Sequence, residues 1–133
     1  MITSEIFYNI LYAHTDKMGV VYYSKYLEFF EAGRNDILKK IGYPYSKLEE
    51  KNYALPVIEV SCKYHNYARY DDLIKIKTII NDIPAVRFKL EYEITCDEKK
   101  IVTGYTVHSF VNMQKIKPVK PPEDFIVCLR KFI

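Results

Sequence analysis

The stretch Tyr12-Ala13-His14-Thr15-Asp16-Lys17-Met18-Gly19-Val20-Val21-Tyr22-Tyr23-Ser24-Lys25-Tyr26-Leu27-Glu28-Phe29-Phe30-Glu31-Ala32-Gly33-Arg34 decides how this chain is read. It leads from an aromatic, strand-like segment through a polar turn with one carboxylate, Asp16, into a long amphipathic helix. Ser24 suits a helix start and Gly42 a stop, so the spacing predicts a helix from Ser24 to about Ile41. Leu27, Phe30, Arg34, Ile37, Leu38 and Ile41 share one face, while Tyr26 and Phe29 widen the apolar surface. Such a helix is expected to be buried along most of its length. In the turn, residues 15–21, Gly19 is free to take a positive φ. A helix start presents backbone N–H groups that favour negative charge, and a carboxylate beside it offers a base or a nucleophile. By residue type alone, an Asp in a turn before a helix is a turn or capping residue.

Upstream, residues 5–13 read as a first strand with Ile6, Tyr8, Ile10 and Tyr12 on one face. Downstream, Tyr43 to Asn52 is a connector with a short helical turn after Pro44. Period-two alternation then recurs. Ile58, Val60, Cys62 and Tyr64 alternate with polar residues, as do Ile74 and Ile76. The cleanest run has Val86, Phe88, Leu90, Tyr92 and Ile94 alternating with Arg87, Lys89, Glu91 and Glu93. Ile101 to Asn112 reads as the last strand, after the polar turn Asp97-Glu98-Lys99-Lys100. Pro121-Pro122-Glu123-Asp124 begins a short C-terminal helix with Phe125, Leu129 and Phe132 inward. One buried helix followed by four strands implies an α+β layer with an antiparallel sheet. Short turns favour hairpin neighbours, and the sheet edges must be paired or protected.

The 133 residues fit one domain, 1–133, without a linker, repeat or low-complexity tract. A net charge of +3 is mild and dispersed, which suits an anionic small molecule and argues against nucleic acid. No apolar run is long enough to span a bilayer, and the N-terminus lacks the pattern of a signal peptide. Cys62, Cys96 and Cys128 are odd in number and far apart, and are expected to be buried free thiols of a reducing compartment. A cytoplasmic location follows as the expectation. His65 and His108 lie in strands without metal-ligand spacing and read as surface or interface histidines. No metal site, P-loop or dinucleotide fingerprint is present, and no cofactor is expected.

The pattern His14-x-Asp16-x-x-Gly19-Val20-Val21-Tyr22-Tyr23-x-x-Tyr26-Leu27, followed by Phe30-Glu31 and Arg34, resembles the signature of the hotdog-fold acyl-CoA thioesterases. The similarity is to the 4-hydroxybenzoyl-CoA thioesterases and the Tol-Pal-associated acyl-CoA thioesterases. It implies a hotdog fold, an antiparallel sheet wrapped around one long central helix, assembled as a homodimer or homotetramer. It also implies hydrolysis of an acyl- or aryl-CoA thioester, with 1,4-dihydroxy-2-naphthoyl-CoA as one aryl candidate. The aspartate acts in that family as nucleophile or general base, and the resemblance makes the Tyr23 N–H the donor to the thioester oxygen.

Several residues keep two readings beside this resemblance. Tyr12 orients the carboxylate or water, or is a half-buried strand aromatic. His14 either contacts substrate or hydrogen-bonds the turn. Glu31 either faces the substrate or is a structural acid paired with Arg34 or another base. The Tol-Pal-associated enzymes carry His where this chain has Tyr23, so the site leans toward an aspartate working alone. The basic cluster of the 4-hydroxybenzoyl-CoA type is absent from the turn Asp82-Ile83-Pro84-Ala85, which leaves the CoA phosphates without evident ligands. A hotdog protein that binds acyl-CoA or an acyl carrier without turnover is the alternative.

Overall fold

A computed structural model describes residues Met1–Ile133. Strand β1 (Ile2–Asn9) leads through a 3-10 turn (Tyr12–His14) to helix α1 (Lys25–Lys40) and short helix α2 (Tyr45–Glu50). There follow β2 (Tyr53–Ala54), β3 (Val57–Tyr64), β4 (Leu73–Ile80), β5 (Arg87–Cys96) and β6 (Lys99–Ser109). The chain ends with β7 (Val111–Asn112), β8 (Lys117–Pro118) and helix α3 (Glu123–Arg130). The main sheet is antiparallel throughout, in the order β1-β4-β5-β6-β3, and β2, β7 and β8 form a small second sheet. With α1 packed on the main sheet, this is the expected α+β hotdog arrangement.

Helix α1 is helical because its apolar residues recur at 3.6-residue spacing. It ends where Gly42 takes φ +83 and its N–H bonds the carbonyl of Lys39. The buried residues are Tyr26, Phe29, Phe30, Gly33, Ile37 and Leu38. The stripe is therefore rotated from the expected one: Leu27 is 38% exposed and Arg34 is half-buried. Gly33 explains the rotation, because a Cβ there would collide with Thr78 Oγ1 and lie 3.1 Å from Ile76 Cγ2. The helix backbone thus rests directly on β4. One turn earlier Phe30 stacks on Tyr92, with ring centroids 4.2 Å apart and planes 7° from parallel. Full burial of a side chain such as Phe30 is worth about 1.5–3 kcal/mol.

The strand order departs from simple hairpin succession. Within the main sheet only β4, β5 and β6 follow one another as hairpin neighbours. Strand β3 crosses to the far edge beside β6, and β1 takes the opposite edge beside β4. The first strand also stops at Asn9 rather than residue 13, since Ile10 pairs with the crossover through Ile10 N–H to the Asp72 carbonyl at 2.9 Å. Tyr12 is consequently 77% exposed on the 3-10 turn and not a strand residue facing the core. The last long strand ends at Ser109. Phe110, fully buried, turns the chain by bonding the carbonyl of Val86, and residues 111–112 join the small sheet.

Helix α3 forms as expected, with Phe125 and Leu129 buried, but Phe132 lies beyond it and is 43% exposed. Asp124 anchors the helix by accepting from Tyr43 Oη at 3.0 Å and from Lys51 Nζ. The three cysteines are free and half-buried rather than fully buried. Lys75 pairs with Glu5 at 3.1 Å, and Lys89 lies over the ring of Tyr105, so these strand lysines line solvated faces. No helix is long and apolar enough to cross a membrane.

Candidate active site

Residues 15–21 fold back as a narrow loop whose closing bridge is Thr15 to Val21. Asp16 organises it. Its backbone N–H donates to the Val20 carbonyl at 2.9 Å, and its carbonyl accepts from Gly19 at 3.0 Å. Carboxylate oxygen Oδ1 accepts the Met18 N–H at 2.8 Å, an Asx turn, with the Val20 N–H at 3.5 Å. Gly19 takes φ +78, the left-handed conformation that lets the loop close without Cβ strain. The turn role expected from residue type is therefore present, and the second carboxylate oxygen, Oδ2, has no hydrogen-bond partner within the protein.

The loop is strapped to the crossover after β3. Val21 N–H donates to the Ala68 carbonyl at 2.9 Å, and Val20 bridges to Arg69. Below the strap, the buried Tyr26 hydroxyl accepts the Ala68 N–H at 3.3 Å. On the other side, the Tyr22 N–H donates to the His14 carbonyl at 2.8 Å. This ladder places the entry to α1 alongside the loop that carries Asp16. The Tyr22 phenol is held above its ordinary pKa first by its hydrogen bond and charge interaction with Tyr23, then by burial, and least by the Asp16 charge.

At the helix entry the N–H groups of Tyr23 and Ser24 have no acceptor within the protein. Ser24 occupies the cap position with helical φ and ψ and makes no side-chain cap bond. The usual use of a serine there, satisfying a first-turn N–H, is not made. The Tyr23 carbonyl accepts from Tyr64 Oη at 3.1 Å, which ties the entry to β3. Tyr23 itself is 60% exposed.

His14 does what its local reading implied. Its Nδ1 accepts the Leu11 N–H at 3.0 Å, closing the 3-10 turn, and its ring packs edge-on against Phe29. Tyr12 is exposed and meets Tyr70 edge-to-face. Glu31 forms no ion pair with Arg34. It lies on the rim of a cavity of about 180 Å³ between α1 and the sheet, lined also by Arg34, Leu38, Phe88, Leu90 and His108. Asp16 and Tyr23 do not line this cavity.

His108 was expected at a surface or interface and is instead 2% exposed. It ends a buried polar chain. Arg34 Nη1 lies 3.3 Å from Tyr92 Oη, which lies 2.7 Å from Thr106 Oγ1. Thr106 Oγ1 is 2.9 Å from His108 Nε2, and His108 Nδ1 is 2.9 Å from the Leu55 carbonyl. The signal for this burial was in the sequence: Val102, Gly104, Thr106, His108 and Phe110 fall on one face of a period-two pattern.

Burial holds the His108 pKa below the ordinary histidine value of 6.5, with Arg34 adding to the effect and the Leu55 hydrogen bond opposing it. The unfolded chain therefore binds the proton near 6.5 while the folded chain still does not. Stability is full above 6.5 and is lost as pH falls through that window toward the folded value. Thermal melts from pH 7.5 to 5 are expected to show a falling midpoint, with a shallower slope in His108→Asn. An equal slope in the variant would remove His108 as the cause.

The profile described as the thioesterase-like superfamily matches residues 11–129. The acyl-CoA thioesterase YbgC of Haemophilus influenzae is 28% identical over 116 residues, covering 86% of this chain and 85% of that one. Bacillus subtilis YneP is 29% identical over 112 residues, covering 84% of this chain and 81% of that one. Among solved structures, the DHNA-CoA thioesterase of Staphylococcus aureus superposes with a TM-score of 0.92 at 29% identity, covering 98% of this chain and 91% of that one. The chain belongs to the thioesterase-like superfamily.

Proposed function

We propose that this protein is an acyl-CoA thioesterase that hydrolyses an acyl- or aryl-CoA thioester to free acid and CoA. One observation carries the proposal: a carboxylate with a free oxygen and a helix entry with two unpartnered N–H groups sit on one strapped hairpin. Asp16 acts on the thioester carbonyl carbon as nucleophile, or on water as general base. The new C–O bond forces negative charge onto the carbonyl oxygen, and the Tyr23 N–H donates to it. A donor of this kind is worth about 3–4 kcal/mol in the transition state. Collapse expels the CoA thiolate, which takes up a proton; on the nucleophilic route this leaves a mixed anhydride on Asp16, which water then cleaves to the free acid and the restored carboxylate.

In this reading Gly19 lets the loop close, Tyr12 and His14 support Asp16 from the 3-10 turn that precedes it, and Glu31 faces the acyl end. The kinship with named acyl-CoA thioesterases supports CoA over other thiol carriers. The protein works as a homodimer or homotetramer in the cytoplasm. Support for assembly comes from β3, an edge strand whose Val57, Ile58 and Val60 are each 47–48% exposed. An apolar, unpaired edge is a template for pairing with a second copy.

The test is release of free CoA thiol from aryl, short-chain and long-chain acyl-CoAs. Turnover of at least one is expected; binding without turnover across the panel would refute the hydrolase reading. Sedimentation of the wild type is expected to give a dimer or tetramer, and Ile58→Lys to shift it toward monomer. A monomeric wild type would refute the assembly.

A further inference from the structure

The polar chain behind α1 can run in only one direction. Arginine only donates and a backbone carbonyl only accepts. Arg34 must therefore donate to Tyr92, Tyr92 to Thr106, Thr106 to His108 Nε2, and His108 Nδ1–H to the Leu55 carbonyl. The chain defines the position of the guanidinium from behind. It uses only one of the five Arg34 donors, and no carboxylate of the protein lies within ion-pair distance of the others. A half-buried guanidinium with one neutral partner remains short of acceptors.

We propose that Arg34 is a specificity-determining residue: it binds an acceptor oxygen, hydroxyl or carboxylate, carried by the acyl group at the end remote from the thioester. This rests on the hydrolase reading above. The cavity that Arg34 lines has apolar walls from Leu38, Phe88 and Leu90, which suit the body of an acyl group. Its volume of about 180 Å³ fits a compact one, since an engineered apolar cavity of about 150 Å³ admits benzene. Arg34 stands nine residues after Lys25, roughly 14 Å along the helix axis from its start. Its side chain leans back toward that start, as helical side chains do. An oxygen it receives is therefore several bonds from the thioester carbonyl, not on the neighbouring carbon. Glu31 on the rim can accept from a hydroxyl and opposes a carboxylate, so the two oxygen types separate experimentally.

Hexanoyl-CoA, 6-hydroxyhexanoyl-CoA and adipoyl-CoA share a chain length and differ only at the far end. At least one oxygen-bearing substrate is expected to exceed hexanoyl-CoA about tenfold or more in kcat/KM, because a site built to bond an oxygen rejects the analogue lacking it. In Arg34→Met that ratio should fall toward one. Tyr92→Phe keeps the ring stack on Phe30 and removes the hydroxyl that accepts from Arg34 and donates to Thr106. It should lower the ratio through KM, with kcat retained. If Arg34→Met does not fold, Tyr92→Phe decides by itself. Hexanoyl-CoA turned over as well as both partners, or a ratio unchanged in the folded variants, would overturn the role of Arg34 alone. Absence of turnover with every thioester tested would overturn the hydrolase reading, and this inference with it.

Discussion

Asp16→Asn is expected to lower kcat/KM for thioester hydrolysis by about 10²–10⁴-fold, the range of a positioned base. The substitution is informative because Asp16 has two separable jobs. Its Oδ1 holds the loop by accepting from Met18 at 2.8 Å, and an asparagine oxygen does the same. The loop should therefore keep its shape and the melting temperature should stay near wild type, while the anionic oxygen is lost. Asp16→Ala removes both functions and is expected to loosen the strap as well. Equal turnover in Asp16→Asn would refute the mechanism. In a single turnover in labelled water, the anhydride route puts solvent oxygen into the Asp16 carboxylate or the product, so label in Asp16 identifies the nucleophile, whereas a general base leaves Asp16 unlabelled.

Gly104→Ala is expected to be the most destabilising of the conservative substitutions. A Cβ at Gly104 would overlap the Ser61 backbone carbonyl and sit 2.9 Å from Phe30 Cζ. The first collision cannot be relieved by a rotamer change, so β3 must part from β6. The second pushes Phe30 off Tyr92, the stack that seats α1. Overpacking of this kind costs about 1–3 kcal/mol and occasionally more, and the backbone clash puts this case at the upper end. For a chain of this size the melting midpoint should fall by on the order of 10 °C. A variant that melts within two or three degrees of wild type would show that the edge strand gives way without cost.

Both predictions touch the same boundary between sequence and structure. The helix, the turn with Asp16 and the strong alternation of β5 were legible from residues 12 to 34 and 86 to 94, because a helix or strand face depends only on local spacing. The resemblance carried by those residues led to the superfamily, and the structure agrees with the fold it implied. The strand order was not legible. Whether β3 pairs with β4 or crosses to β6 depends on contacts between residues distant in sequence, and the gap left by Gly104 becomes meaningful only once Ser61 and Phe30 lie against it. Tyr12 was misplaced because a 3-10 turn after Ile10 interrupts a pattern that otherwise reads as strand.

The sequence by itself determined the central helix, the loop aspartate and the family. Local periodicity and a dense run of residues suffice for these. Tertiary structure decided what lies behind the helix. Arg34 reads as one more polar residue on a helix, and His108 as one more histidine in a strand. Only the packing of α1 on β5 and β6 joins them through Tyr92 and Thr106 into a chain with one direction. Hydrogen-bond direction is a property of assembled donors and acceptors, and no spacing within a single element encodes it.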